Sequence, residues 1–355
     1  MKKKILSIIG ARPQFIKHFP LEIELRKDFD LISLHTGQHY DDKMSNIFFE
    51  ELEIIRPNHI LSLLNTSHAG QTAEMLVAIE EILINEKPDA VVVYGDTNST
   101  LSGSLAAAKL NIPIIHVEAG LRSFNKEMPE EINRIITDHL ASLLFCSSEV
   151  GGVNLKKEGI FNGVFLTGDL MKDAQNKIID QICDDIPRSY IYVTIHRPYN
   201  TDNINRLLEI INTLNNINKK IIFPVHPRTM KMLKKSNIEL NQFINVSFIE
   251  PVGYIDSLKY QKNADCIITD SGGIQKEAYW FKTKCITLRS ETEWTETLNG
   301  GWNQLIFNDL SQLRQALNTI PNEDLYNYNL YGNGNAAIQI CGHIKEFLKE
   351  DLTSY

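Results

Sequence analysis

Cysteine is scarce in this chain, and its spacing argues against two classes of protein. The five cysteines in 355 residues are odd in number and stand far apart, mostly within apolar runs: Cys146, Cys183, Cys266, Cys285 and Cys341. A disulfide-rich secreted domain needs paired cysteines, and a zinc site needs Cys or His at short ligand spacing. We therefore expect reduced, buried thiols in a cytoplasmic protein that binds no metal.

Long apolar runs are missing as well. No run approaches the roughly 20 residues of a membrane-spanning helix. The basic start Met1–Lys4 followed by apolar Ile5–Ile9 has the order of charges found in a signal peptide. The apolar segment is too short, however, and it leads into Gly10-Ala11-Arg12-Pro13, which is typical of a strand and its following loop. We expect no membrane partner.

The chain also lacks an excess of positive charge. Its formal net charge of −8 argues against a nucleic-acid partner, and an anionic ligand would need positive groups arranged locally. The loop after the first apolar run does not have the GxGxxG spacing of dinucleotide-binding folds, and no acidic residue stands where the ribose would need one. We therefore expect no nicotinamide cofactor.

What the sequence does contain is a regular alternation of apolar strands and helical patterns. Two such runs predict two doubly wound α/β domains, each with a parallel sheet. The first run has predicted strands at Ile5–Ile9, Leu31–His35, Ala90–Tyr94, Ile114–Val117, Leu143–Cys146 and Val164–Thr167. The second has predicted strands at Tyr190–Thr194, Ile221–Val225, Val246–Ile249, Cys266–Thr269, Cys285–Leu288 and Gln304–Ile306.

The polar stretch Asp173–Pro187 separates the two runs and sets the expected boundary. We expect a first domain over residues 1–172, a second over residues 173–335, and a C-terminal segment, residues 336–355, whose helix packs back toward the first domain. Ligands bind at the carboxyl ends of strands in open parallel sheets. Two facing sheets would place both such edges around one central cleft.

Carboxylates and arginines meet at one of these edges. Glu118 ends a short buried strand, and Glu130 stands in the first turn of the helix that follows, with Arg134 one turn later. Asp96 follows another strand of the same sheet. Carboxylates beside arginines at a strand edge indicate proton transfer on an anionic substrate. The alternatives are solvated surface charges and, for Asp96, a helix N-cap.

Two strand ends carry glycine loops. After the first strand, Gly10 and the start of the next helix would present backbone N–H groups, Arg12 and Lys17 to an anion, although ordinary surface charge explains these residues equally well. In the second half, Ser271, Gly272 and Gly273 form a nest of N–H donors suited to a diphosphate.

Two further side chains belong to this second nest. Glu277 lies further along the same helix and is placed to accept hydrogen bonds from a ribose diol. His196 ends the first strand of the second run, where an imidazole beside a diphosphate steadies developing negative charge. The alternative for the nest is a Ser or Asp helix cap with glycines required for packing.

Taken together, these segments resemble the non-hydrolysing UDP-N-acetylglucosamine 2-epimerase family over nearly the whole chain. In the first half the matching segments are Gly10–Lys17, Thr36–Tyr40, Tyr94–Thr100 and His116–Arg134. In the second half they are His196-Arg197, His226-Pro227-Arg228 and Asp270–Glu277. Hydrolysing relatives resemble a Ser-Arg-Ala-Glu-Tyr opening, whereas this chain has Gly-Ala-Arg-Pro-Gln.

The resemblance implies a GT-B-like pair of Rossmann-type domains, in which the second domain holds most of the UDP. It implies a cytoplasmic homodimeric isomerase that inverts C2 of a UDP-2-acetamido sugar for surface polysaccharide synthesis, without metal or nicotinamide. Asp96, Glu118 and Glu130 are then the acid/base residues, and His196, Arg12 and Ser271 hold the diphosphate. Lys17, Arg134, Gly272, Gly273 and Glu277 complete the expected substrate-binding set.

The identity of the sugar is less constrained than the reaction. Trp294 stands where the family often has arginine, and it thereby removes a positive group expected to face the sugar or a phosphate. The Trp294 loop and the pair Phe124-Asn125 resemble enzymes acting on UDP-2,3-diacetamido-2,3-dideoxyglucuronate. Gln38-His39 partly matches the place where a second, regulatory UDP-sugar binds, but Tyr40-Asp41 follows where a basic residue is common, which argues against allosteric activation.

One alternative function shares the predicted fold. A GT-B glycosyltransferase has the same two domains and nucleotide nest, but it requires an acceptor site and has no need for three clustered carboxylates. A non-catalytic nucleotide-sugar sensor would not need those acids either.

Overall fold

The computed structural model describes residues 2–38, 49–65, 67–182 and 189–350. The chain divides into two compact units. Unit 1 comprises Met1–Lys177 together with Asn329–Tyr355, and unit 2 comprises Ile178–Tyr328. Unit 2 is therefore an insertion in the sequence of unit 1.

Unit 1 is built on a seven-stranded, all-parallel sheet with the strand order β3-β2-β1-β4-β5-β6-β7. The strands are β1 Lys4–Ile9, β2 Asp30–His35, β3 His59–Ile60, β4 Ala90–Tyr94, β5 Ile114–Val117, β6 Leu143–Cys146 and β7 Val164–Leu166. Its described helices are α1 Arg12–Asp28, α2 His68–Glu86, α3 Asn98–Lys109, α4 Pro129–Leu140, α5 Glu149–Lys157, α6 Leu170–Ile178 and α13 Ala336–Glu350.

Unit 2 repeats the arrangement with six parallel strands in the order β10-β9-β8-β11-β12-β13. These are β8 Tyr190–Thr194, β9 Lys220–Pro224, β10 Val246–Ile249, β11 Cys266–Thr269, β12 Cys285–Thr287 and β13 Asn303–Leu305. The helices are α7 Pro198–Thr201, α8 Ile204–Asn215, α9 Pro227–Lys235, α10 Tyr254–Asn263, α11 Gly272–Trp280 and α12 Leu313–Asn318.

The prediction of two doubly wound parallel-sheet domains is confirmed, and every predicted strand is present. The strand that the sequence does not reveal is β3, which has only two residues and follows the polar segment Arg56-Pro57-Asn58. Two residues are too few to show an apolar pattern, and this strand lies at the edge of the sheet, where one neighbour suffices.

Each sheet has a point where the strand order reverses, between β1 and β4 in unit 1 and between β8 and β11 in unit 2. Open α/β sheets bind their ligands at this point because the loops on its two sides diverge and leave a crevice. The loops after β1, β4, β8 and β11 carry Arg12, Asp96, His196 and Ser271 respectively. The topology therefore gives these four predicted site residues positions beside the switch points.

The end of unit 1 is fixed by a buried aspartate. Asp173 in α6 accepts hydrogen bonds from the backbone N–H groups of Ala336 (3.1 Å) and Ala337 (2.8 Å) at the start of α13. Burial raises the pKa of this carboxyl to about 6. An ion pair of 2.7 Å joins Lys345 of α13 to Asp28 at the end of α1. Because of these contacts, residues 173–177 and 329–335 belong with unit 1, whereas we had expected them in the second domain.

A buried charged network lies beneath the strand edge that carries Asp96. His116 Nδ1 is 2.7 Å from Asp138 Oδ1, and His116 Nε2 is 2.8 Å from the carbonyl oxygen of Gly95. An imidazole donates to two acceptors only when both ring nitrogens are protonated. Arg122 binds the second oxygen of Asp138 at 2.7 Å and holds Glu158 through two further hydrogen bonds of 2.7 and 2.6 Å.

The opposite charges of this network stabilise one another. Burial alone would raise the pKa of Asp138, but the charges and hydrogen bonds of His116 and Arg122 outweigh it and hold that pKa below its usual range. The carboxylate therefore stays ionised in a fully buried position. Through His116 it fixes Gly95, the residue that precedes Asp96.

We expect Asp138→Asn to lower the free energy of unfolding of unit 1 by about 3 kcal/mol, because the buried Arg122 loses the fully buried one of its two charged partners. Glu158→Gln is the matched control, and its effect should stay below about 1 kcal/mol because this partner is partly exposed. Urea denaturation followed by circular dichroism measures both. The Asp138 contribution is present above the unfolded pKa of the carboxyl and is lost as pH falls through its lowered folded pKa.

Tryptophan fluorescence shows which of the two units is destabilised. All three tryptophans, Trp280, Trp294 and Trp302, lie in unit 2. Their fluorescence transition should therefore move less than the circular dichroism transition. Equal losses in the two variants would contradict the assignment of Asp138 as the centre of the network.

Candidate active site

The turn after β4 presents Asp96 to a buried arginine. Asp96 Oδ2 accepts hydrogen bonds from Arg134 Nε (3.0 Å) and Arg134 Nη2 (2.6 Å). The backbone carbonyl of Asp96 accepts a hydrogen bond of 2.9 Å from the Asn133 side chain. The helix that follows begins with Thr97 as its N-cap, so the N-cap alternative for Asp96 does not apply.

Glu118 directly follows β5 and has a conformation that is unusual for a residue with a side chain. Its φ of 69° lies in the left-handed region, which costs of order 1 to 3 kcal/mol and is concentrated at functional sites. The carboxylate is buried and pairs with Lys17 of α1 at 2.5 Å. A side chain built at Gly95 would begin 3.4 Å from Glu118 Oε1 and 3.6 Å from Lys17 Nζ. The structure thus brings the Asp96 turn and the Lys17–Glu118 pair together.

Glu130 and Glu131 both open α4, but they have different environments. Glu130 is half-buried, and its predicted part in the acid/base set stays a prediction. Glu131 is buried, and one of its oxygens accepts a hydrogen bond of 2.7 Å from Arg134 Nη1. Burial raises the pKa of Glu131, but hydrogen bonds from Ser123, Arg134 and Phe124 outweigh it and leave that pKa below its usual range.

Sequence reasoning missed Glu131 as a functional residue. It selected Glu130 at the same helix start, because adjacent glutamates look alike in a sequence. The difference arises from the loop before α4, which folds back onto Glu131 and not onto Glu130. No local sequence signal reveals that fold-back.

The start of α1 differs from the predicted anion site. The N–H groups of Gly10 and Ala11 donate to Gln14 Oε1 at 2.7 and 3.0 Å, so they are already satisfied within the chain. Lys17 is turned toward Glu118. Arg12, the first residue of the helix, is half-buried beside the switch point. Binding of an anion by Arg12 stays a prediction.

In unit 2 a buried aspartate shapes the loop that carries His196. The carboxylate of Asp270 accepts hydrogen bonds from the backbone N–H groups of His196 (3.1 Å) and Arg197 (3.0 Å), and a further bond of 3.0 Å from the Asn200 side chain. His196 Nδ1 lies 3.4 Å from Asp270 Oδ1, while 46% of the His196 side chain is exposed. Asp270 therefore positions His196 and neither caps a helix nor faces a ligand itself.

The predicted nest forms the start of α11. Ser271 is the N-cap residue, its hydroxyl makes no capping hydrogen bond, and Gly272 and Gly273 begin the helix. Ser271, Gly272 and Gly273 are all half-buried. A side chain built at Gly272 would begin 2.8 Å from Glu293 Oε1, so the end of the Glu293 side chain would have to move. This close approach agrees with the packing alternative for Gly272.

Glu277 lies deeper than the nest. Its side chain is buried, and Oε2 accepts a hydrogen bond of 2.7 Å from Gln261 Nε2. One of the two carboxylate oxygens therefore has an internal partner. Binding of a ribose by Glu277 stays a prediction.

Trp294 is buried and lies against a lysine side chain. The indole is only 3% exposed, and Lys276 Nζ of α11 lies 3.7 Å above the centre of its ring. The attraction of a cation to an indole face is the strongest among the aromatic side chains. The interpretation of Trp294 as the loss of a positive group that faces the sugar or a phosphate stays a prediction, and Lys276 places a cation against its ring.

Several predicted features concern absences or fall outside the described parts of the chain. Within the described residues no group of three or more His, Cys, Asp or Glu side chains is arranged to hold a metal ion. No helix in those ranges is long and apolar enough to cross a membrane. Cys146, Cys266, Cys285 and Cys341 are free and buried. Cys183, His39, Tyr40 and the side chain of Arg228 lie outside the described residues.

The chain was compared with known proteins. The family model described as UDP-N-acetylglucosamine 2-epimerase matches residues 21–345. A Methanococcus maripaludis UDP-N-acetylglucosamine 2-epimerase homolog is 49% identical over 95% of this chain and 98% of its own length. The UDP-2,3-diacetamido-2,3-dideoxy-D-glucuronate 2-epimerase of Pseudomonas aeruginosa is 40% identical over 96% of this chain and 99% of its own length.

Solved structures agree with the sequence relatives. The crystal structure of the Methanocaldococcus jannaschii UDP-GlcNAc 2-epimerase, in complex with UDP-GlcNAc and UDP, matches with a TM-score of 0.89 and 41% identity. The match covers 98% of this chain and 100% of that one. It confirms the GT-B-like pair of Rossmann-type domains, and these matches do not favour the glycosyltransferase alternative. The chain belongs to the UDP-N-acetylglucosamine 2-epimerase family.

Proposed function

We propose that this protein is a non-hydrolysing 2-epimerase, which inverts C2 of a UDP-2-acetamido sugar. The observation that carries the proposal is the strand edge of unit 1, where Asp96, Glu118 and Lys17 come together with Arg134. A transferase holding the same nucleotide has no use for such a set of acids. The family membership and the UDP-containing M. jannaschii structure support the nucleotide sugar as substrate.

The chemistry explains why several carboxylates are needed. The C2 proton has no neighbouring carbonyl, so direct deprotonation and return is not feasible. When the C1–O bond to UDP breaks, positive charge develops at C1 and the C2 proton becomes removable. One carboxylate takes that proton, which yields a 2-acetamidoglucal and UDP. A proton delivered to the opposite face of C2, with return of the UDP oxygen to C1, completes the inversion.

The residues divide by task in this proposal. Asp96, Glu118 and Glu130 exchange protons with the sugar, and the family resemblance does not say which of them is the base. Arg134 holds Asp96 in a fixed orientation, as Lys17 does for Glu118.

The departing diphosphate is assigned mainly to unit 2. His196, Ser271, Gly272 and Gly273 bind it there, and Glu277 binds the ribose. Arg12 of unit 1 adds a positive charge. Fixed donors of this kind stabilise a leaving group because their orientation is set before the reaction.

The physiological setting is part of the same proposal. We infer that the enzyme works in the cytoplasm as a homodimer and supplies sugars for surface polysaccharides. Both UDP-GlcNAc and UDP-2,3-diacetamido-2,3-dideoxyglucuronate are candidate substrates, because relatives with both names are at least 40% identical. The Trp294 loop favours the diacetamido sugar by resemblance, while Lys276 beside it weakens the charge argument.

One isotope experiment tests the reaction. In D2O, without any acceptor, we expect the enzyme to convert a UDP-sugar to a two-sugar mixture whose product carries deuterium at C2. Free UDP and the glucal should accumulate on long incubation. NMR on both candidate sugars follows the exchange and identifies the substrate. Retention of the original C2 hydrogen would overturn the elimination route, and no reaction with either sugar would overturn the proposed function.

The acid/base assignment predicts the behaviour of three variants. Asp96→Asn, Glu118→Gln and Glu130→Gln should each lower the rate of C2 inversion at least about 100-fold. UDP affinity should stay within about twofold, because the nest belongs to unit 2. Glu149→Gln, an exposed glutamate at the start of α5, is the matched control and should keep full activity. A variant that retains full activity removes its residue from the acid/base set.

The nest assignment predicts the opposite pattern. Ser271→Ala should weaken UDP binding about tenfold, which corresponds to one lost hydrogen bond to a charged group. Glu277→Ala should weaken it by at least as much. Titration calorimetry with UDP measures both, and Ser311→Ala, an exposed serine of the same unit, serves as the control. Unchanged UDP affinity in both variants would refute the nest.

A further inference from the structure

Phe124 combines two unfavourable features that folding alone does not explain. Its ring is 74% exposed to solvent, and its φ of 59° lies in the left-handed region that side chains rarely adopt. An exposed ring gains little from packing, and strained backbone persists only where the surroundings impose it. Such a residue indicates a role in binding another molecule.

A buried carboxylate imposes this conformation. Glu131 Oε1 accepts a hydrogen bond of 2.9 Å from the backbone N–H of Phe124. Glu131 Oε2 accepts bonds from the backbone N–H of Ser123 (2.9 Å) and from the Ser123 hydroxyl (3.1 Å). Only 1% of Glu131 is exposed. The buried carboxylate therefore holds the backbone of a residue whose ring is exposed.

The same carboxylate connects the Phe124 backbone to Arg134 and, through that arginine, to Asp96. Glu131 Oε2 also accepts the 2.7 Å hydrogen bond from Arg134, whose guanidinium holds Asp96. A single side chain therefore separates the Phe124 amide from the arginine that orients a proposed acid/base residue. The position of the Phe124 backbone relative to Asp96 is thus set by charge-assisted hydrogen bonds, which are short and strongly directional.

We propose that Phe124 is a specificity-determining residue whose ring packs against the acetamido-bearing sugar of the substrate. Sugar rings present C–H groups on their faces, and an acetamido group adds a methyl, so both complement an aromatic surface. Burying the ring on substrate binding recovers the apolar contact that the free enzyme lacks. The inference rests on the proposed function, since it requires a UDP-sugar at this edge.

Because Phe124 has a strained backbone, its substitution can distinguish a role in substrate binding from a role in stability. Phe124→Gly and Phe124→Asn remove the ring while supplying residues that tolerate positive φ. Phe124→Tyr keeps an aromatic ring and is the rescue variant. Phe161→Ala is the matched control, because this phenylalanine is also exposed but precedes β7, at the amino end of the strands.

The measurements are KM and kcat for each UDP-sugar, UDP affinity by calorimetry, the melting temperature, and oligomeric state by light scattering. For Phe124→Gly and Phe124→Asn we expect KM to rise about tenfold, with UDP affinity unchanged and a melting temperature no lower than that of the unaltered protein. Phe124→Tyr and Phe161→Ala should retain the original KM.

Three outcomes would overturn the inference. These are an unchanged KM in both ring-free variants, a loss of activity that parallels a lower melting temperature, and a change of oligomeric state, which would assign the ring to contact with a second copy. All three presuppose measurable epimerisation by the unaltered protein. Its absence would instead refute the proposed function.

Discussion

Buried carboxylates that accept hydrogen bonds from loops are the interaction on which the rest of this structure depends. Doubly wound sheets leave their functional loops at the carboxyl ends of the strands, where the regular hydrogen-bond ladder has ended. Each such loop must satisfy its own N–H groups or cations. In this chain an acidic side chain from a neighbouring element does so in both units: Asp138 and Glu131 in unit 1, and Asp270 in unit 2.

Each of these acids is surrounded by several hydrogen-bond donors. A buried carboxylate with a single partner is expensive, whereas one with three or four charge-assisted or backbone donors is stable. Asp138 binds His116, Arg122 and the N–H of Gly120. Asp96, which faces the substrate in the proposed reaction, is held by Arg134, and the buried Glu131 binds the same arginine.

Much of this architecture follows from the sequence. The strands were predictable because parallel strands, buried on both faces, are continuous apolar runs, as Ala90–Tyr94 is. The carboxyl-edge positions of Asp96 and Glu118 followed from the strand ends. The distinction between Glu130 and Glu131 was not predictable, because it depends on where a loop returns in space. The capture of the Gly10 and Ala11 amides by Gln14 also escaped prediction. A glutamine at the third helical position reaches back to the N-cap amide in the capping box, but Ser or Thr at the N-cap marks that motif, and here the N-cap residue is Ala11.

The insertion of unit 2 within unit 1 has a consequence for the order of synthesis. Unit 1 ends with α13, whose first N–H groups are received by Asp173. At about 5 to 20 residues per second, the ribosome needs about 8 to 30 seconds to make residues 178–328 between these partners. During that interval Asp173 and the face of α1 that receives α13 stand without their final contacts, whereas unit 2 can fold as soon as it emerges. The unit to which the proposal assigns the diphosphate is thus synthesised completely before the unit that carries Asp96 and Glu118.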